Sequence, residues 1–243
     1  PREATANRNT FRVGDAAYEN IGLFVNAGWQ LQDSEIYAFG GISQRKSESA
    51  AFFRRPVQES QNIPEIYPEG FLPLIAPETD DHSINAGYRF NLAEWQLDFS
   101  AGTGASRYYY YVKNSLNASF GPDSPTHAYA GGLKNNEQNV TLDASRTFPF
   151  ANESDLIVSA GVSYRHNSYQ IFQGEELSYR NYGYQGKAGG IQSFPGFTPE
   201  SEVDESRHNT GIYLELENQL TEQFSWGAAV RQEDYSDFGS ANT

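Results

Sequence analysis

Four histidines, His82, His127, His166 and His208, are the side chains of this sequence best suited to proton transfer or metal ligation near neutral pH. They are scattered, each at the end of a strand-like run or in a connection, and none stands in an HExxH or related ligand spacing. Asp80-Asp81-His82 offers two carboxylates and an imidazole to a cation, yet reads more simply as a solvated loop end. Asp234 and Asp237 could contribute to a calcium loop, but alone they lack the ligand number calcium needs. There is no GxSxG element and no phosphate-binding glycine loop, and the absence of cysteine excludes disulfides and thiolate metal sites. No catalytic residue, cofactor or metal is expected, so the chain does not read as an enzyme. Three triplets, at Asn117, Asn139 and Asn152, match the glycosylation sequon, a pattern that arises readily in an Asn/Ser/Thr-rich chain.

Aromatic and basic clusters are the better candidates for binding. Arg107 precedes four tyrosines, Tyr108 to Tyr111; residues 179–184 carry Tyr182 and Tyr184; and Phe194 and Phe197 flank a Pro-Gly pair. With the basic pairs Arg45-Lys46 and Arg54-Arg55, such rings could hold an anionic, aromatic or sugar-like ligand through stacking and cation–π contacts. The same tyrosines would serve equally as an interfacial girdle or as packing between loops.

The segments that position these residues alternate with period two. In residues 20–31, Ile21, Leu23, Val25, Ala27 and Trp29 face one way, and Asn20, Gly22, Asn26 and Gly28 the other. The break Gln32-Asp33-Ser34 makes this a hairpin with the run 35–43, whose outer face is ambiguous between Tyr37, Phe39 and Gly41 and Ile36, Ala38 and Ile42. Three more hairpins join 82–91 to 95–102, 136–148 to 155–167, and 207–219 to 223–235, each through a short break. Their apolar sets include Ile84, Ala86, Tyr88 and Phe90; Trp95, Leu97 and Phe99; Leu156, Val158 and Val162; and Leu214, Trp226 and Val230. Asn26, Asn85, Arg89, Asp98, Asp143, Arg165, Glu215 and Arg231 lie on the opposite face. Residues 1–17 read as the end of a loop, and 47–81, 103–135 and 168–205 as long connections, the first broken by five prolines and the second opening on a possible continuation of its strand.

Eight strand-like segments therefore alternate between short turns and long loops, with all short turns on one edge. Trp29, Trp95 and Trp226 sit near those turns, as do Phe90, Phe148 and Phe224, giving a ring of aromatics at one height. No apolar run reaches the length of a spanning helix, so a membrane location requires a barrel. A composition of 38% apolar and 14% aromatic residues with 22 glycines suits this architecture, and a net charge of −14 opposes binding to nucleic acid. An antiparallel sandwich would also alternate, but it seldom separates short from long connections by edge. The opening Pro1-Arg2-Glu3 shows no signal peptide, and the lack of methionine points to an internal or processed segment.

Several stretches, in order, resemble the TonB-dependent outer-membrane receptors: residues 11–31 and 35–45, YPEGFLPLI at 67–75, NSLNASFGPDSPTHAYAGGL at 114–133, VTLDASRTF at 140–148, SFPGFTPE at 193–200 and AAVRQEDYSDFG at 228–239. The resemblance implies an all-β fold, an antiparallel transmembrane β-barrel, with this chain an incomplete slice of about eight strands from a 22-stranded barrel; plug domain and terminal strands are not among the matching segments. A closed eight-stranded barrel is the competing architecture. The implied setting is the bacterial outer membrane, in contact with its lipid. The implied function is energy-coupled uptake of a scarce, bulky nutrient, most often a ferric siderophore, with the TonB energy-coupling complex acting through the plug. Arg54, Arg55, Arg107, Tyr108, Tyr109, Tyr182, Tyr184, Phe194 and Phe197 would then be ligand contacts in the outer loops. A passive porin or a secreted carbohydrate-binding sandwich are the alternatives. Such a wall segment should have no core of its own and little stability in isolation. A full-length parent should partition into detergent, and recovery in the aqueous phase would exclude the barrel.

Overall fold

A computed structural model of the protein describes residues 2–7, 9, 11, 12, 14–151 and 154–243, so the triplet beginning at Asn152 lies outside the described residues. Ten antiparallel strands form one sheet: β1 (Gly14–Leu31), β2 (Ser34–Ala50), β3 (Leu74–Ile75), β4 (Glu78–Leu92), β5 (Trp95–Lys113), β6 (Ala128–Pro149), β7 (Asp155–Phe172), β8 (Val203–Thr221), β9 (Phe224–Tyr235) and β10 (Gly239–Asn242). Each long strand pairs with its sequence neighbours, while two-residue β3 sits between β2 and β5 above the end of β4. Among the described residues β1 and β10 each pair on one side only, so the sheet does not close on itself and the eight-stranded closed barrel is excluded.

Directly opposed residues of an antiparallel pair project to the same face. Val25 opposes Gly40, Ala27 opposes Ala38 and Trp29 opposes Ile36, and these in turn oppose Ile84, Ala86 and Tyr88. The ambiguous strand is thereby settled: Ile36, Ala38 and Ile42 share the apolar face, and Tyr37 and Phe39 point the other way. Register carries this face across the sheet, through Phe99, Leu142, Val162 and Ile212 in one continuous row. On β1 the apolar set stands in the open, Ile21 at 74%, Leu23 at 62% and Trp29 at 72% exposure, as expected of a face meant for hydrocarbon.

Along β5 this apolar face runs from Trp95 to Ala105. About ten residues at the rise and tilt of a barrel strand span about 23 Å, close to the apolar band of an outer-membrane barrel. Trp95 packs edge-on against Phe148 at 6.0 Å, and the Trp226 indole donates to Asn218 Oδ1 at 3.1 Å, holding both rings at the short-turn end. Three of those turns are two-residue connections, Gln32-Asp33, Ala93-Glu94 and Glu222-Gln223. Ala93 and Glu94 adopt φ of 48° and 69°, the handedness that matches the strand twist.

The strands overrun the sequence reading at the opposite end. β1 begins at Gly14 within the supposed loop, β5 continues through all four tyrosines to Lys113, and β6 starts at Ala128. Alternation fades there because both faces are covered or aromatic, leaving no contrast of polarity to read. The three long connections shrink to 51–73, 114–127 and 173–202. They also build what was not expected, a core. Ile63, Phe71, Leu116 and Ala118 form one buried cluster, and Val112, Ala128, Ala130 and Ile191 a second.

Tyrosine, glycine and aspartate recur together on the polar face. Tyr37 on β2 lies across Gly87 on β4 and donates to Asp98 Oδ1 on β5 at 2.7 Å. Tyr213 on β8 lies across Gly161 on β7 and donates to Asp143 Oδ1 on β6 at 2.8 Å. A Cβ on either glycine would stand 2.2 or 2.4 Å from the tyrosine ring, so each ring depends on the missing side chain beneath it. Arg89 adds a cation between Glu35 and Asp98, at 3.0 Å from each.

Two outcomes follow for the full-length parent protein refolded into lipid vesicles. Val25→Arg or Val158→Arg should lose about 2–4 kcal/mol in denaturant titrations if near the midplane, and Asn26→Arg far less. Gly161→Ala should cost about 1.5–3 kcal/mol by displacing a hydrogen bond to a charged acceptor, and most of that cost should vanish in a Tyr213→Phe background.

Candidate functional site

Four successive tyrosines on one strand must split between its faces. Parity with Asp98 turns Tyr108 and Tyr110 inward, and parity with Trp95 turns Arg107, Tyr109 and Tyr111 outward. Tyr108 and Tyr110 contact each other at 4.7 Å between centroids. Tyr110 then stacks on Phe194 at 4.7 Å and meets Phe197 edge-on at 5.9 Å, while Phe194 and Phe197 lie 5.8 Å apart. The third connection therefore folds back over the polar side of the sheet. Its backbone is pinned there, because the Phe197 N–H donates to Ala130 O at 3.0 Å and the Gly174 N–H to Phe197 O at 2.9 Å. Gly196 permits the approach, since a Cβ there would lie 2.0 Å from Ser178 Oγ.

Ser193, next to this aromatic group, has φ of 100°, a conformation that costs a non-glycine residue of order 1–3 kcal/mol. Among the described residues its buried hydroxyl oxygen has no hydrogen-bond partner. Strain and an unsatisfied polar atom thus coincide beside three mutually packed rings, on the face toward which the lumen residues also point.

The remaining candidates do not join this group. Arg54 donates through Nε to Gln192 Oε1 at 3.0 Å and through Nη1 to Phe52 O at 2.9 Å, and burial pushes its guanidinium below the ordinary arginine value without threatening its charge. Arg55 is ion-paired with Glu3 at 2.6 Å. Tyr184 packs against the Ile63–Leu116 cluster, while Tyr182 meets Phe120 edge-on at 4.8 Å with Arg180 above its ring. Burial raises the Tyr67 hydroxyl above its ordinary value, keeping it a neutral donor that reaches Asn114 Oδ1 at 3.2 Å. Arg107 and Tyr109 lie on the outward wall. Of the basic pairs, Lys46 is bridged to Glu78 at 3.3 Å. Among the described residues, no group of three or more His, Asp or Glu side chains converges on a metal position.

Asn117 ties the connections together, and nothing in its sequence context distinguished it from a sequon. It is fully buried. Its Nδ2 donates to the carbonyls of Leu177 and Arg180, both at 2.8 Å, and its Oδ1 accepts from Ser119 N and Oγ at 3.1 and 2.7 Å. Burial removes it as an acceptor for a glycan. Ser115 Oγ adds a bond to Gln192 O at 2.6 Å, and Lys187 donates to Asn62 O at 3.1 Å and to Glu59 O. Tyr110, the centre of the aromatic group, belongs to the run Tyr108 to Tyr111 read as a binding cluster but is not among the individual ligand contacts named from the sequence.

Asn117→Ala should leave the Leu177 carbonyl without its hydrogen bond, at about 1–3 kcal/mol, while the Arg180 carbonyl keeps the Gly190 N–H at 3.2 Å. Limited proteolysis of the folded full-length parent should then cut 114–127 and 173–202 together, whereas cleavage confined to one connection would contradict this coupling.

Known proteins share this architecture. The TonB dependent receptor-like, beta-barrel family matches residues 28–243. No curated protein sequence matches. Among solved structures, the RagAB peptide importer in its open-open state aligns with a TM-score of 0.60 at 13% identity, over 93% of this chain and 29% of that one. BauA, the ferric preacinetobactin receptor of Acinetobacter baumannii, aligns at 0.55 and 12% identity, over 95% and 36%. The ferric-catecholate import receptor Fiu of K12 E. coli aligns at 0.53 and 11%, over 92% and 35%. At these identities the likeness is one of fold, and the chain spans about a third of the length of each. With the family match covering most of its length and an apolar outer wall to go with it, this chain belongs to the TonB-dependent receptor β-barrels of the bacterial outer membrane.

Proposed function

We propose that the chain is the central part of a receptor barrel, completed by further strands on either side, that takes up a scarce and bulky nutrient across the outer membrane. Unpaired edges at β1 and β10 support this, because an open edge is not tolerated in hydrocarbon. Energy coupling would come from the TonB complex through a plug domain lodged against the polar inner face. A ferric siderophore is the ligand class we favour. Two of the solved structures named above are receptors for ferric ligands, and the other is an importer of peptides.

One observation carries the reading of the site: the inward rings of Tyr108, Tyr110, Phe194 and Phe197 meet beside the unsatisfied Ser193 hydroxyl. Aromatic faces take up a planar or sugar-like ligand by stacking, and a strained polar group next to them is a common mark of a ligand contact. Arg54, Arg55, Tyr182 and Tyr184 contribute by shaping the loops around that mouth, and Arg107 and Tyr109 have no part in it.

Deleting the parent gene should abolish growth on at least one ferric complex supplied as sole iron source. Unchanged growth on every iron complex, with loss on a peptide source, would move the ligand to the peptide class; unchanged growth on all would remove the uptake role. Within the receptor, Phe194→Ala should weaken ligand binding about five- to tenfold, as expected for one aromatic contact. Ser193→Gly should relieve strain and resist unfolding better while binding ligand less well.

A further inference from the structure

We propose that the outward face of β5 and β6, just above the apolar band, binds the phosphorylated head group of an outer-leaflet glycolipid. Arg107 and Lys134 are directly opposed on the two strands. Both share the outward parity of Ala105, Arg107 two positions beyond it on β5 and Lys134 two beyond its partner Asn136 on β6. That height is where hydrocarbon gives way to head groups. On the neighbouring strands polar outward residues already stand one and two rows below, where Asn136, opposite Ala105, donates to Ser168 Oγ at 2.8 Å and His166 opposes both Gln138 and His208.

The two cations border a cleft of about 500 Å³, whose other walls are Tyr109, Tyr129 and Phe172, with Gln173 and Glu202 at its rim. Tyr129 lies over the upper end of the strand pair, its ring 6.5 Å from Tyr109 and 5.5 Å from Tyr111. Glu202 is engaged with the Gln173 N–H at 3.3 Å, and Asp80, opposite Arg107 on β4, accepts from Gln44 at 3.0 Å. Among the described residues neither Arg107 nor Lys134 makes an ion pair. Lys46, on the same outward face of β2, is paired with Glu78.

Two uncommitted cations side by side, facing the head-group layer, suit a phosphate better than any zwitterion, because each gains Coulomb energy without giving up a protein partner. The aromatic walls offer a flat apolar surface to a sugar ring. Together these chemistries describe a phosphorylated sugar on an acyl anchor that would insert beside Ala105 and Ala101, on the lipid face below. The surface lies on the opposite side of the wall from the inward rings, so its failure would leave the uptake proposal untouched.

Full-length receptor in mild detergent tests this by native mass spectrometry against three probes: a bisphosphorylated diglucosamine lipid, the same lipid with its phosphates removed, and inorganic phosphate. Wild type should favour the phosphorylated lipid, and R107Q/K134Q should lose that preference by about fivefold for each cation removed. K46Q should keep it. Equal binding of the two lipids by wild type would overturn the proposal without any variant, and displacement of the lipid by millimolar inorganic phosphate would reassign the site to a soluble anion. A double variant that fails to show the heat-modifiable migration of a folded barrel would be replaced by the single variants R107Q and K134Q, each expected to lose about fivefold; full phosphate preference in both folded single variants would also overturn the proposal.

Discussion

Hydrocarbon offers a peptide group no partner, and this constraint shapes the whole chain. Every N–H and C=O within the bilayer must be answered by the adjacent strand, so the register between strands is the quantity that folding has to get right. From β1 to β9 each long strand meets its sequence neighbour antiparallel, with irregularities only near the ends of pairings. A slip of one residue on any strand would turn its apolar set into the lumen and its carboxylates toward lipid. Tolerance for such an error is far lower here than in a soluble sheet, where water can take up a misplaced charge.

The polar face supplies the complementary check. Tyr37 and Tyr213 each pass over one strand to reach a carboxylate on the next, and each needs a glycine at a single position below. Arg89 spans three strands by meeting Glu35 and Asp98 together. These side chains are partly exposed, so their ion pairing adds little to stability in itself. Their value lies in specificity, since each bond can form in one register only.

The sequence displayed much of this wall and almost none of its cap. Period-two alternation in 21–29, 84–90 and 156–164 was plain because one side of each strand meets lipid and the other a polar lumen. The outer face of 35–43 was not, because Tyr37 and Phe39 are large rings on the inner side, where Tyr37 carries a hydrogen bond rather than apolar packing. Nor was the true extent of β5, whose tyrosines serve lipid interface and loop core alternately. The site was half legible: Tyr108, Phe194 and Phe197 come together, but Arg54 and Arg55 spend their charge on Gln192 and Glu3. Asn117, Ser115 and Ser193 could not be found from local pattern, since their roles are set by partners about 60 or more residues away or by a backbone angle.

The joining of the outer connections has a consequence for how this surface can change over time. Loops on a barrel are usually pictured as separate fingers, each free to lengthen or vary as ligands change. Here Asn117 holds the carbonyls of Leu177 and Arg180, the Ala188 N–H bonds to Ser60 O, and Arg54 reaches Gln192. An insertion in one connection would have to be answered in the other two before the cap could close again. Diversification of this receptor should therefore proceed by exchange of the three segments as a set, and a loop transplanted alone from a relative would arrive without the partners that give it shape.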